Sequence, residues 1–261
     1  MRTFSSGGGV QSIAALVLSA QGKIDFPTHL FCNVGADSEN PDTLEYVYNV
    51  AMPYAKANGI EFIELKKVRR SGEVETLVGR IYSARRSVPI PARMSNGAPG
   101  RRTCTSDFKI ILMARWLKQR GATPEQPAII GLGISLDEMH RARTDSGIEW
   151  QTLEYPLIDL RLTRRSCEKI ITDAGLPIPP KSACFFCPFQ GRDQWTTLKK
   201  DHPDLFGKAV DIENHLNEKR NALGKDIIRL HSSLYPLDQA VGNQMGFDDE
   251  TENCESGYCM V

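Results

Sequence analysis

The chain has 261 residues, 41% of them hydrophobic, and its 32 basic residues balance its 32 acidic residues. This length allows one sizeable core, or one core with a small appendage. The neutral balance gives no indication of a nucleic-acid or membrane partner. Met1-Arg2-Thr3-Phe4 leads directly into a glycine-rich segment, so we expect no signal peptide, and the longest apolar run, Ile13 to Leu18, is too short to span a bilayer. We therefore expect a cytoplasmic protein with no membrane partner.

The distribution of charge is more informative than its sum. Between Lys66 and Lys109 there are eleven basic and three acidic residues, which gives this segment a net charge of +8. An acidic cluster near the other end of the chain comprises Asp248, Asp249, Glu250, Glu252 and Glu255. This asymmetry predicts a local anion site inside a neutral protein, although a solvated basic loop would have the same composition.

Short apolar runs alternate with helical stretches in the first part of the chain. The predicted strands are Arg2–Ser5, His29–Asn33, Glu61–Leu65, Ala128–Gly133 and Glu154–Leu157. The predicted helices between them are Gln11–Ala20, Pro41–Asn58 and Ser106–Arg120. Alternating strands and helices are typical of a parallel sheet with helices on both faces. The pattern predicts an α/β fold with a doubly wound, mostly parallel five-stranded sheet.

Two segments interrupt this alternation. The segment Ser71–Arg102, rich in Arg, Pro, Ser and Gly, is predicted to be a long loop. After Leu176 the chain changes character, with a Cys-x-x-Cys motif and then a helical stretch over Gln194–Glu218. We therefore predict an α/β domain over residues 1–176, a small, mainly helical region over residues 177–241 that carries the Cys-x-x-Cys motif, and a flexible acidic tail with two cysteines over residues 242–261.

A glycine-rich loop joins the first strand to the first helix. Its residues are Ser5, Ser6, Gly7, Gly8, Gly9, Val10, Gln11 and Ser12. Glycines allow backbone N–H groups to face a ligand, and the following helix start adds a positive dipole, so the loop suits a phosphate or pyrophosphate. A plain tight turn is the alternative. The spacing matches neither a Walker A loop nor the Rossmann Gly-x-Gly-x-x-Gly motif.

The loop resembles that of the PAPS reductase branch of the PP-loop superfamily. That branch includes sulfonucleotide reductases, ATP-dependent thiolases of RNA, and proteins of DNA phosphorothioation systems. Three later segments resemble family motifs: 33–43 (Asn-Val-Gly-Ala-Asp, then Asn-Pro-Asp-Thr), 133–141 (Gly-Ile-Ser-Leu-Asp-Glu, then Arg) and 155–159 (Tyr-Pro-Leu-Ile-Asp). Gln11 stands where ATP-cleaving members carry Asp, and Ser135 stands where an Arg is usual.

The resemblance implies a fold of the kind predicted above and a site for ATP or another adenine nucleotide. Besides the glycine loop, the implied nucleotide-binding residues are Asn33, Gly35, Asp37, Gly133, Asp137, Glu138 and Arg141.

Three cysteines are candidate metal ligands. Cys184 and Cys187 lie on one Cys-x-x-Cys turn, and such a pair binds metal, forms a redox disulfide or does neither. Cys104 follows two arginines and precedes a predicted helix, which predicts a lowered thiol pKa. Iron–sulfur members of the resembled family join an upstream cysteine element to a Cys-x-x-Cys across a similar gap. The resemblance thus implies a 4Fe–4S cluster on Cys104, Cys184 and Cys187 with one iron left open; zinc and no metal are the alternatives.

The remaining cysteines divide into two kinds. Cys32 and Cys167 are expected in the core, with a role as the fourth metal ligand as the alternative for Cys167. Cys254 and Cys259 lie in the polar tail. Sulfonucleotide reductases use a tail cysteine to attack substrate sulfur, so the resemblance suggests Cys254 and Cys259 as catalytic residues. Incidental cysteines on a disordered end are the alternative.

Three functions follow from these features. The first is reduction of an adenylylated sulfur compound, with a thiol reductant such as thioredoxin as partner. The second is ATP-dependent thiolation of tRNA or DNA by an iron–sulfur sulfurtransferase. The third is a non-catalytic nucleotide or cluster sensor. The sequence favours the first, and it leaves a homo-oligomer open.

Overall fold

Five parallel strands form one sheet at the centre of the protein. The computed structural model describes residues 1–241, and the strand order is β3-β2-β1-β4-β5. The strands are β1 (Arg2–Ser6), β2 (Thr28–Asn33), β3 (Glu61–Lys66), β4 (Ala128–Leu132) and β5 (Gln151–Glu154). In β1, Ser5 pairs with Leu30 of β2 on one side and with Leu132 of β4 on the other. The predicted fold class is therefore confirmed.

Helices follow the strands and cover both faces of the sheet. They are α1 (Val10–Ala20), α2 (Pro41–Tyr46), α3 (Met52–Ala57), α4 (Leu77–Ser83), α5 (Thr103–Thr105), α6 (Ile111–Gln119), α7 (Pro156–Asp159), α8 (Arg164–Asp173), α9 (Arg192–Asp201), α10 (Pro203–Ala222) and α11 (Leu237–Ala240). The π-helical turn Val47–Ala51 joins α2 to α3, the π-helical turn Ser106–Ile110 joins α5 to α6, and a 3₁₀ helix spans Leu136–Arg141.

The two faces of the sheet have separate apolar cores. On one face, Phe4 of β1 packs with Ile13 of α1 and Ile171 of α8. On the other face, Met113 of α6 packs with Leu30 of β2. Strand β4 (Ala-Ile-Ile-Gly-Leu) is apolar throughout, as expected of a strand buried on both faces, whereas β1 (Arg-Thr-Phe-Ser-Ser) buries Thr3, Ser5 and Ser6 beside Phe4.

A third core lies beyond the sheet and involves segments that are distant in sequence. Leu77 and Ile81 of α4 pack there with Phe108, with Trp195 of α9 and with Ile212 of α10. The boundary predicted at residue 176 stays a prediction, but this core joins residues on both sides of it. Within residues 1–241, no helix combines the length and apolar character needed to cross a membrane.

Three predicted elements differ from the structure. The last strand ends at Glu154, because Pro156 occupies the first turn of α7 rather than a strand position. The predicted helix Gln194–Glu218 is two helices, α9 and α10, and Pro203 begins the second. The predicted loop Ser71–Arg102 contains α4, which is capped by the side chain of Thr76.

Candidate nucleotide and cysteine site

The glycine loop lies where β1 ends and α1 begins. Gly8 has φ +78°, a conformation that favours glycine. A Cβ at Gly8 would also lie 3.0 Å from Cγ2 of Thr43 and 3.1 Å from Cγ2 of Val47. The loop is therefore packed tightly against the helix that follows β2, and Gly8 is needed for the turn itself.

At this loop, backbone N–H groups rather than the hydroxyls of Ser6 and Ser12 are available to an anion. The hydroxyl of Ser6 bonds Nδ1 of buried His29 at 3.0 Å, and the hydroxyl of Ser12 donates to the Gly9 carbonyl at 2.9 Å. The first N–H groups of α1 have no carbonyl four residues earlier in the helix, and Gly9 offers no side-chain cap. No acidic residue lies in the first turn of α1. These features make the start of α1 suitable for an anion.

The strand order reverses beside this loop. The chain runs from β1 to β2 and β3 on one side and returns to β4 on the other side of β1. Gly133 follows β4, and a Cβ there would lie 3.4 Å from Cβ of Gln11. Ligands of open parallel sheets bind in the crevice at such a reversal, outside the carboxyl ends of the strands.

Gln11 is bonded to the segment that follows β4. Its Nε2 donates to Oε2 of Glu138 at 3.2 Å and lies 3.5 Å from the hydroxyl of Ser135. Glu138 pairs in turn with Nη1 of Arg141. Burial raises the pKa of Glu138, and Arg141 opposes this effect only in part. Although residue 11 is not acidic, the Glu138 carboxylate lies within hydrogen-bond distance of its side chain.

Four other predicted nucleotide-binding residues have structural roles at the carboxyl edge of the sheet. Asn33 donates to Glu64 at 2.7 Å and accepts from the Gly35 amide at 2.7 Å. Gly35 has φ +125°, and a Cβ there would lie 2.6 Å from Cβ of Thr76. Oδ2 of Asp37 accepts from Thr76 at 2.9 Å, and Oδ1 of Asp137 accepts from the Arg164 amide at 3.1 Å. Their roles in nucleotide binding stay predictions.

The Cys-x-x-Cys turn is held against the segment that follows β2. The Phe185 amide donates to the Ser38 carbonyl at 3.2 Å, and the Asn40 amide donates to the Ala183 carbonyl at 3.1 Å. The Cys187 amide donates to the Cys184 carbonyl at 3.0 Å and closes the turn. The two thiols are thus positioned by main-chain hydrogen bonds on both sides of Cys184.

All three candidate ligands line one small cavity of about 50 Å³. Cys104 comes from α5, and Cys184 and Cys187 come from the turn. Other lining residues are Val34, Glu39, Arg102, Lys109, Ser182 and Phe189. The cavity therefore combines three thiols with two cationic side chains and one carboxylate.

Burial dominates the protonation of these thiols. It raises the pKa of Cys104, raises that of Cys187 to about 11, and raises that of Cys184 well above its ordinary value. Lys109 and Arg102 lower the pKa of Cys104 by less than burial raises it. The lowered pKa predicted for Cys104 is therefore wrong.

The donor set fits a thiophilic metal centre in its chemistry. The five cysteines within residues 1–241 are free of disulfides, and three of them share the cavity. As their side chains are placed, no group of three or more His, Cys, Asp or Glu residues in this part of the chain surrounds a point that could hold a metal ion. Cys32 and Cys167 are buried, as predicted.

Residues that sequence reasoning missed connect the loop to the cavity. The Ser182 hydroxyl donates to the Gly7 carbonyl, and Ser182 also lines the cysteine cavity. Ser182 lies two residues before Cys184, which was its only sequence signal. Lys109 lies on the same helical segment as Cys104, five residues later.

The predicted basic segment is partly neutralised by ion pairs. Lys67 and Arg80 both pair with Glu75 and Asp107, and Lys66 pairs with Glu64. Four exposed arginines of this segment have no ion pair within residues 1–241: Arg70, Arg85, Arg86 and Arg101. The acidic tail and its predicted catalytic residues Cys254 and Cys259 lie outside the described residues.

No protein-family model matches the chain, and no curated protein matches it. Solved structures similar to it include the following two. One is a phosphoadenylyl-sulfate (PAPS) reductase from Candida auris in a phosphate complex, with 13% identity, a TM-score of 0.43, and 68% of this chain and 74% of that chain covered. The other is the U34-tRNA thiolase NcsA from Methanococcus maripaludis with its 4Fe–4S cluster, with 13% identity, a TM-score of 0.43, and 95% and 82% covered. Neither similarity decides what this chain does.

Proposed function

We propose that the protein is an adenine-nucleotide-binding enzyme of sulfur metabolism, similar to sulfonucleotide reductases, with a metal centre on Cys104, Cys184 and Cys187. The observation that supports this proposal is the contact between the glycine loop and the three-cysteine cavity. Ser182 belongs to both, because its hydroxyl bonds the Gly7 carbonyl and its side chain lines the cavity.

The chain's own groups have separate tasks in this proposal. The N–H groups at the start of α1 bind the nucleotide phosphates. Glu138 orients Gln11 at 3.2 Å and pairs with Arg141, whose Nε is buried and has no hydrogen-bond partner within residues 1–241. The thiols of Cys104, Cys184 and Cys187 would hold the 4Fe–4S cluster. Zinc remains the alternative, and three cysteines would leave either metal group one position for a further ligand.

The reaction we propose is reduction of an adenylylated sulfur compound, such as PAPS. The Cys254 thiolate attacks the sulfur, the bond between sulfur and the phosphate oxygen breaks, and the nucleotide leaves. Cys259 or an external thiol then attacks the Cys254 sulfur, which forms a disulfide and releases sulfite. A dithiol such as thioredoxin supplies the two electrons that reduce the disulfide.

One set of measurements on protein purified without oxygen tests this function. We expect iron and acid-labile sulfide in the preparation, and loss of both in Cys104→Ser, Cys184→Ser and Cys187→Ser. Cys167→Ser is the matched control, since buried Cys167 lies in a different core. PAPS with thioredoxin should yield sulfite, and Cys254→Ser should abolish this yield without weakening nucleotide binding.

Other results would contradict parts of the proposal. Zinc in place of iron in the preparation would show that the three cysteines hold zinc rather than an iron–sulfur cluster. Calorimetry that detects no binding of ATP, AMP or PAPS would remove the enzyme assignment itself. Full sulfite yield from Cys254→Ser would exclude the tail cysteine as nucleophile.

The second candidate, ATP-dependent thiolation of tRNA or DNA, is favoured by the exposed arginines. Arg70, Arg85, Arg86 and Arg101 have no ion pair within residues 1–241 and suit contacts with a phosphodiester backbone. Pyrophosphate release from ATP that depends on added tRNA or DNA, with no sulfite from PAPS, would favour this candidate. Exchange of these arginines for Gln should then weaken polynucleotide binding and reduce its salt dependence.

A further inference from the structure

Ser182 belongs to a short strap over the glycine loop. We define the strap as residues 177–184. One end is fixed by the Tyr46 hydroxyl, which donates to the Pro177 carbonyl at 2.6 Å. The other end is fixed by the Asn40 amide, which donates to the Ala183 carbonyl at 3.1 Å. Both anchors belong to the segment that follows β2.

Between these anchors the strap contacts the loop through Ser182. The Ser182 hydroxyl donates to the Gly7 carbonyl, and a Cβ built on Gly9 would lie 3.5 Å from Cβ of Ser182. Ser182 therefore lies over the part of the loop where an anion would bind to the N–H groups of α1. Cys184 follows two residues later on the same strap.

A hydroxyl has a single proton to donate. In this structure the proton is directed at the Gly7 carbonyl. A phosphate oxygen next to Ser182 is an acceptor and has no proton to offer, so the hydroxyl must turn from the Gly7 carbonyl to bond it. The bond between strap and loop is then exchanged for a bond between strap and ligand.

We propose that Ser182 is a positioning residue that couples phosphate binding on the glycine loop to the arrangement of the cysteine cavity. An anion on the loop takes the hydrogen bond that Ser182 makes with Gly7. Because main-chain hydrogen bonds at Ala183 and Phe185 fix the backbone around Cys184, the change reaches the cavity through Ser182 itself, which lines it together with the three cysteines. This inference rests on the proposed nucleotide site and cysteine metal site.

Thermodynamic linkage makes the coupling measurable without knowledge of the reaction. If ATP changes the affinity of the cavity for a metal ion, the metal ion must change the affinity for ATP by the same factor. Co²⁺ is a suitable probe, because its thiolate complexes absorb strongly. The full-length chain is titrated with Co²⁺ with and without ATP, and with ATP with and without Co²⁺.

In the wild-type chain we expect a coupling of at least about fivefold, equal in both titrations. Ser182→Ala should reduce the factor to below about twofold, while Ser182→Thr, which keeps a hydroxyl, should retain it. The matched control is Ser83→Ala, because exposed Ser83 is remote in sequence from the strap and lines neither site. Ser182→Gly provides a second removal of the hydroxyl if Ser182→Ala does not fold.

The possible failures can be distinguished. Absence of ATP binding, or of a cobalt–thiolate band, contradicts the proposed function. If both ligands bind and the wild-type chain shows no coupling, the role of Ser182 is refuted. Undiminished coupling in folded Ser182→Ala or Ser182→Gly refutes it as well.

Discussion

Glu75 is the acidic centre of an ion-pair network beside the cysteine cavity. Its two oxygens each lie 2.8 Å from a nitrogen of Arg80, and Lys67 lies 3.4 Å away. Arg80 also bonds Asp107 at 3.1 Å, three residues after Cys104. The Glu75 side chain is 8% exposed. We predict that Glu75→Gln destabilises the protein and loosens the helical segment that carries Cys104.

The magnitude follows from the pKa of Glu75. Hydrogen bonds from Arg80, then the charges of Arg80 and Lys67, outweigh burial and lower this pKa from 4.5 to about 2. At about 1.4 kcal/mol per pH unit, the charged form contributes roughly 3 kcal/mol to the free energy of unfolding at pH 7. A lowered carboxyl pKa gives stability that is complete above pH 4.5 and is lost as the pH falls toward 2.

Urea unfolding at several pH values between 7 and 3 measures this contribution. Glu75→Gln should lower the free energy of unfolding by about 3 kcal/mol at pH 7 and by progressively less below pH 4.5. Glu73→Gln is the matched control, since Glu73 is 73% exposed and 3.9 Å from Arg69, and it should cost less than about 0.5 kcal/mol. Equal losses in the two variants, or a Glu75→Gln loss that does not change with pH, would refute the reasoning.

Three further predictions concern the loop and the cores. Gly9→Ala should weaken ATP binding about tenfold in calorimetry and leave the melting temperature unchanged. Gly8→Ala, at φ +78°, should cost roughly 1–2 kcal/mol of stability. Equal melting temperatures of the two variants would contradict this difference. Burial lowers the pKa of His29 to about 3. Stability should therefore fall by up to about 1.4 kcal/mol per pH unit below pH 6.5, and His29→Asn should flatten that slope between pH 6.5 and 4.5. The Glu213 carboxylate accepts hydrogen bonds from the buried amides of Leu230 and Leu237 at 2.7 and 3.1 Å. Glu213→Ala should therefore lower the free energy of unfolding in urea by about 3 kcal/mol. A loss below about 1 kcal/mol would show that water replaces the carboxylate.

The sheet could be predicted because short apolar runs, such as that of Ala128–Leu132, alternate with helical stretches along the chain. The same signal was misleading after Glu154, where Tyr155-Pro156-Leu157 is apolar but Pro156 begins a helix. α4 was missed because the surrounding Arg, Ser and Gly residues concealed two apolar positions, Leu77 and Ile81, that face the third core. The composition of a segment averages over all its residues, whereas the packing of a short helix depends on the few positions that face the core.

The candidate site was predictable in its parts and not in their connection. The glycine loop and the Cys-x-x-Cys turn are local patterns, which residues adjacent in sequence are enough to identify. The contact between Ser182 and Gly7 joins residues 175 positions apart. The prediction of a lowered pKa for Cys104 was wrong for a related reason. The sequence shows the nearby arginines, but the burial of the thiol depends on residues from elsewhere in the chain.

The third core also constrains the order in which the chain can fold during synthesis. Leu77, Ile81 and Phe108 emerge from the ribosome early, but their packing partners in α9 and α10 emerge about a hundred residues later. The sheet and α1 can form before then, while α4 still lacks the apolar surface that α9 and α10 contribute. Completion of the cysteine cavity is therefore a late event, because the Cys-x-x-Cys turn and the helices that support it are synthesised last among its parts. Of the three cavity cysteines, only Cys104 would be available to iron or zinc until that point.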